Sequence, residues 1–127
     1  MIKILIVEDQ TSDLFLLESF FSHHLDISLI GSASNGQEAV RIVRKYHPDI
    51  VIMDINLPVM NGIEATKIIT QQFEQIKVIL FTSHDDWQIR NLAIKAGANA
   101  FVNKAHLDCL EQVVNLVSQG YEYFQFE

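Results

Sequence analysis

The chain has 127 residues and is 49% apolar, which suits one domain with a real core. Nine Lys and Arg stand against sixteen Asp and Glu, and a net charge of −7 without a local basic cluster excludes direct nucleic-acid binding by these residues. No apolar run is long enough to span a membrane, and Cys109 as the one cysteine excludes an internal disulfide, so the expected setting is a reducing, cytoplasmic one.

The N-terminal apolar run is too short for a signal peptide, and Glu8 and Asp9 follow it at once. Lys3–Val7 therefore reads as a buried strand. Thr11–His23 has a helical pattern. Ile27–Ala33 is a second strand, and Asn35 can cap a helix that places Ala39, Ile42, Val43 and Tyr46 on one face. Asp49–Met53 is a third strand. The turn-forming run from Leu57 through Pro58, Asn61 and Gly62 leads into a helix over Gly62–Phe73. Lys77–Phe81 is a fourth strand, and Ile89, Leu92, Ala93 and Ala96 repeat at helical spacing until Gly97 stops them. Ala100–Asn103 is the last strand, and Leu110, Val113, Val114 and Val117 form an apolar stripe before Gly120.

The strands are nearly continuous in Val, Ile, Leu and Phe, as expected where helices cover both faces of a sheet. Five strand–helix repeats predict an α/β fold with a parallel sheet and right-handed crossovers. Ligands of such open sheets bind beyond the carboxyl ends of the strands. At those ends stand Glu8 and Asp9, then Asp54, then Thr82 and Ser83, then Lys104. Two carboxylates ~4 Å apart repel by about 4 kcal/mol at an effective dielectric of about 20. A hard divalent cation removes that repulsion, and Mg²⁺ prefers a few carboxylates while keeping several waters. The Lys104 ammonium and one such cation would balance the charges of Glu8, Asp9 and Asp54. A phosphoryl group could then approach Asp54 as nucleophile, its oxygens meeting the metal, Lys104, Thr82 and backbone N–H groups. Taken singly, Glu8 and Asp9 could be solvated loop ends and Asp54 a turn residue. The specificity lies in five suitable residue types at the ends of four strands.

The runs Ile4-Leu5-Ile6-Val7-Glu8-Asp9, Val51-Ile52-Met53-Asp54 through Gly62, Ile79-Leu80-Phe81-Thr82-Ser83 and Ala96-Gly97 through Lys104 resemble the receiver domains of bacterial response regulators, over essentially the whole chain. The resemblance implies a flavodoxin-like, doubly wound five-stranded sheet in the order 2-1-3-4-5, with residues 1–120 as the receiver and 121–127 as a tail or the start of a linker. It implies that Asp54 accepts a phosphoryl group and that Mg²⁺, with Mn²⁺ able to substitute, is held by Asp9, Asp54 and the backbone carbonyl of Asn56, with Glu8 acting through water. Thr82 and Lys104 would grip the phosphoryl oxygens. Thr82 and Phe101 would form the switch: phosphorylation draws Thr82 in, Phe101 turns inward, and the surface near the fourth helix and fifth strand changes. The implied donor is a phosphohistidine on a sensor histidine kinase or phosphotransfer protein. The aromatic tail resembles the linker of regulators with a LuxR-type helix-turn-helix output domain, which would carry the DNA binding. A phosphorylation-dependent homodimer also fits.

The chain departs from the family pattern in places. Glu8 stands where Asp is commoner. Phe101 has no hydroxyl and can rest inside without a hydrogen-bond partner, so a fixed core Phe is the alternative to a switch. Ala105 stands where proline is usual, and a cis bond before it would cost ~2.5–4 kcal/mol, so Lys104-Ala105 is expected trans. His84 and Asn56 border the phosphoryl position and are expected to tune its hydrolysis, the alternative for His84 being a solvated loop residue. Competing readings are an Asp-nucleophile, Mg²⁺-dependent phosphohydrolase, which Asn56 disfavours by standing where a general-acid Asp is normal, and a flavodoxin-like cofactor binder, which Glu8 and Asp9 disfavour by repelling a phosphate. A receiver-fold module that binds without phosphorylation is a third. The reading favoured by the residues is not a turnover enzyme.

Overall fold

A computed structural model describes residues 1–124. The chain alternates β1 (Ile2–Val7), α1 (Thr11–Phe21), β2 (Ile27–Ala33), α2 (Gly36–Tyr46), β3 (Ile50–Met53), α3 (Gly62–Gln72), β4 (Lys77–Thr82), α4 (Trp87–Lys95) and β5 (Ala100–Asn103). A 3₁₀ segment (Lys104–Cys109), α5 (Leu110–Ser118) and a short β6 (Tyr123–Phe124) complete it. The strands run in the order β2-β1-β3-β4-β5-β6, and every pairing is parallel.

The doubly wound form follows from strand alternation, since successive side chains point to opposite faces. Leu5, Val7, Val51, Met53, Val78, Leu80 and Phe101 face one side, where α2, α3 and α4 cover them with Ala39, Val40, Val43, Ala65, Ile69 and Ala93. Ile4, Ile6, Ile50, Ile52, Ile79, Phe81 and Val102 face the other, against Leu17 and Phe21 of α1 and Leu110, Val113, Val114 and Val117 of α5. Both faces are apolar, which is why the strands read as unbroken runs.

Helix starts are fixed by short polar side chains that take up otherwise orphaned backbone donors. Asn35, Asn61 and Asp86 accept from the N–H groups of Glu38, Glu64 and Ile89. Two features differ from the sequence expectation. The sheet has a sixth strand: Tyr123 and Phe124 pair with Ala100 and Phe101 along the edge of β5. A strand of two residues is too short to carry a periodic pattern, so only the aromatic content of the tail hinted at it. The second difference is the 3₁₀ segment at Lys104, which replaces a simple loop. No cis peptide occurs among the described residues, so the Lys104-Ala105 bond is trans as expected. The rest of the expected tail, including Phe126, lies outside the described residues.

Candidate functional site

The parallel order brings the carboxyl ends of β1, β3, β4 and β5 to one edge. Glu8 and Asp9 follow β1, Asp54 follows β3, Thr82 ends β4, and Lys104 follows β5. Glu8, Asp9 and Asp54 offer carboxylate oxygens that all lie within 4.8 Å of one another. Asp54 is only 8% exposed, and Glu8 only 3%. Asp9 is exposed.

Lys104 crosses this cluster. Its Nζ donates to Glu8 Oε1 at 2.5 Å, to Asp13 Oδ2 at 2.7 Å and to Asp54 Oδ2 at 2.9 Å. Asp54 Oδ1 accepts from the Ile55 N–H at 2.7 Å, so both its oxygens are oriented. Glu8 Oε2 accepts from the Asp9 N–H at 3.0 Å. Burial pushes the Glu8 carboxyl up to about 7; the Lys104 hydrogen bond opposes the rise and the Asp54 charge adds to it. Burial works against the Lys104 ammonium, but its hydrogen bonds to Asp13, Glu8 and Asp54 outweigh that and hold its pKa above the usual lysine range.

The loop after Asp54 folds back on itself. The Gly62 N–H donates to the Ile55 carbonyl at 2.9 Å, and a Cβ at Gly62 would sit 2.1 Å from the Asp54 carbonyl oxygen. Only glycine permits so close an approach, and it closes the loop that holds Asp54 in place. Within this loop Val59 takes φ +68°, a left-handed conformation in which β-branched side chains are strained. Asn56 is exposed on the same loop.

The other expected residues fall as follows. Thr82 is fully buried, and its Oγ1 accepts from the His84 N–H at 3.1 Å. The His84 imidazole lies 3.3 Å from Asp86, the capping residue of α4. Phe101 is fully buried beside Leu80, Ala93 and Ala98, so it already occupies an inward position. Sequence reading missed Asp13, which lies in the first turn of α1 and completes the cage around Lys104. An acidic residue there is ordinary for a helix start, so nothing local marks it. It also missed the partnership of Asp85 with Arg90 and Asn103.

Three carboxylates thus bond one ammonium and a fourth, on Asp9, lies beside two of them, a donor set with excess negative charge. It fits a hard divalent cation bound by oxygen ligands. An aspartate held by a lysine and a backbone N–H beside such a cation is equipped to attack an electrophilic phosphorus.

A family model, the response regulator receiver domain, matches residues 4–115. The chain is 32% identical to the transcriptional regulatory protein DegU of Brevibacillus brevis, over 96% of this chain and 52% of that protein. It is 36% identical to the transcriptional regulatory protein LnrK of Bacillus subtilis, over 94% of this chain and 55% of that one. The chain therefore spans about half the length of these relatives. Among solved structures, a LuxR-family two-component response regulator from Aurantimonas superposes with a TM-score of 0.90 at 29% identity, covering 95% of this chain and 87% of that one. A LuxR-family DNA-binding response regulator from Staphylococcus aureus gives 0.88 at 27% identity, covering 93% of this chain and 99% of that one.

Proposed function

Because the chain belongs to the response regulator receiver domain family, we propose that Asp54 is its phospho-acceptor and that Lys104 and Thr82 hold the phosphoryl oxygens. The observation that carries this is the placement of Asp54: nearly buried at the end of β3, with Oδ2 2.9 Å from Lys104 Nζ and carboxylate neighbours within 4.8 Å. An Asp54 oxygen attacks the phosphorus of a phosphohistidine. A P–O bond forms, the P–N bond breaks with its electron pair going to the donor's ring nitrogen, and the imidazole leaves neutral because its other nitrogen already carries a proton. Lys104 keeps its proton throughout and turns part of its hydrogen bonding from the carboxylates to the incoming oxygens. Thr82 meets those oxygens from β4.

Asp9, Asp54 and the Asn56 backbone carbonyl would hold Mg²⁺, with Glu8 acting through water. The cation supplies charge neutralisation at the acceptor and the transferred group. Phosphorylation biases two packings of Thr82 and Phe101, with Phe101 inward in one of them. Asn56 and His84 tune hydrolysis of the acyl phosphate. The relatives are transcriptional regulators about twice as long as this chain. A kinase or phosphotransfer donor, a DNA-binding output domain in a longer protein, a phosphorylation-dependent homodimer and a cytoplasmic location complete the reading. Among the described residues no helix is long and apolar enough to cross a membrane.

Acetyl phosphate with Mg²⁺, followed by intact mass, tests this. One phosphoryl group per chain is expected, with none on Asp54→Ala. Labelling that persists in Asp54→Ala, or repeated turnover of a phosphate monoester, would overturn the proposal.

A further inference from the structure

Lys104 opens the 3₁₀ segment directly after β5, so its direction depends on how that turn is held. Asn103 holds it. Its Oδ1 accepts from the Ala105 N–H at 2.9 Å, and its Nδ2 donates to Asp85 Oδ2 at 3.1 Å. Asp85 uses its other oxygen to accept from Arg90 Nε. The side chains of that pair are largely buried, at 10% and 16% exposure. Asn103 also pairs with Thr82 in the β4–β5 register. One amide therefore uses both its ends. It ties the residue before Lys104 to the loop that leaves Thr82, and that loop is anchored in turn on α4.

Ala105 carries an N–H that proline would lack, and a donor at the start of a tight turn needs an acceptor. Asn103 supplies it. Lys104 must then reach Glu8, Asp13 and Asp54 Oδ2 at once, the last at 2.9 Å, and an ammonium tethered at three points leaves its stem little slack, so a backbone shift at its root pulls on those contacts.

We propose that Asn103 is a positioning residue for phosphoryl transfer, acting through Lys104, with Asp85 and Arg90 as its anchor. This rests on the reading of Asp54 as the acceptor. The bridge sets the backbone of Lys104 and couples it to the Thr82 loop, so the two groups that meet the phosphoryl oxygens are held as a pair.

The test measures the rate of phosphorylation by acetyl phosphate at saturating Mg²⁺, by intact mass, together with Mg²⁺ affinity by calorimetry. Asn103→Leu keeps the side-chain size and removes both hydrogen bonds. It is expected to slow phosphorylation by about 10-fold or more, with Mg²⁺ affinity within about twofold of the parent, because misplacement by ~1 Å is costly to transfer but Asn103 is no ligand. Asn103→Asp sets two carboxylates against each other and is also expected to slow transfer. Adding Asp85→Asn to it restores a donor–acceptor pair of opposite sense and is expected to recover most of the rate. A folded Asn103→Leu at the parental rate overturns the proposal. Should Asn103→Leu fail to fold, the exchange pair decides, and a double variant no faster than Asn103→Asp overturns it. A parent that takes no phosphoryl group overturns the Asp54 reading and this inference with it, whereas a labelled parent with unaffected variants overturns this inference alone.

Discussion

Lys104 pairs with three carboxylates at once, and two of them, on Glu8 and Asp54, are nearly buried. Removing it leaves those carboxylates without a counter-charge, which in a largely buried site costs about 3 kcal/mol. Lys104→Met is therefore expected to melt well below the parent at pH 7. The gap should narrow as the pH falls through about 7 and below, where Glu8, relieved of the Lys104 hydrogen bond that opposes its rise, takes up its proton. A pH-independent gap in melting temperature would refute this. Val59 makes the opposite case. It is exposed and sits at φ +68° in the Asp54 loop, where a β-branched residue costs about 1 kcal/mol. Val59→Gly is expected to raise stability by about that amount in urea unfolding, partly offset by the added freedom of the unfolded chain. Most of the site was legible at this scale, because Glu8, Asp9, Asp54 and Lys104 each directly follow a strand. Asp13 was not, since its role arises only when α1 lies across the sheet edge and brings it to Lys104.

Among the elements, the strands and most helices were readable because their apolar periods are long and unmixed. The 3₁₀ segment and β6 were not. The first depends on a side-chain cap from Asn103, and the second on an edge that only the folded sheet presents. The junction of β4 with α4 belongs to the same class, held in part by Asn103, which reaches Asp85 from the end of β5. Arg90 beside Asp85 holds that carboxyl below its ordinary 3.8, against the opposing effect of burial, with Asn103 and the charge of His106 assisting. A carboxylate whose folded pKa is depressed stabilises the fold above its unfolded pKa, and that contribution is lost as pH falls through the folded value. Asp85→Asn is thus expected to lose about 1.5–3 kcal/mol at neutral pH, the range for a hydrogen bond to a charged group. Measured against the parent, the loss should be constant above about pH 5 and shrink below 3.8. A loss that grows on acidification would contradict the pairing.

At the scale of the whole molecule, two apolar layers fold the chain and one polar edge opposes it. Leu5, Val51 and Leu80 on one face and Ile4, Ile52 and Ile79 on the other are fully or almost fully buried, so the sheet needs no help from the site. The edge instead concentrates Glu8, Asp9, Asp13 and Asp54 with a single ammonium that bonds three of them, and burial has already driven Glu8 up to about 7. Such a site costs stability that the core must offset, as expected where function requires like charges together. A cation that binds the folded chain alone should return that stability by mass action: at a hundredfold excess over its Kd the gain is about 2.7 kcal/mol, or roughly 10 °C in Tm for a domain of this size. Mg²⁺ is therefore expected to raise Tm in a concentration-dependent way that EDTA reverses. Asp54→Asn removes one of the crowded charges while keeping an acceptor for the Ile55 N–H. It should melt at or above the parent without metal, yet lose most of the Mg²⁺-dependent rise. A parent whose Tm ignores Mg²⁺, or an Asp54→Asn variant that keeps the full rise, would mean that the acidic edge is solvated surface and not a cation site.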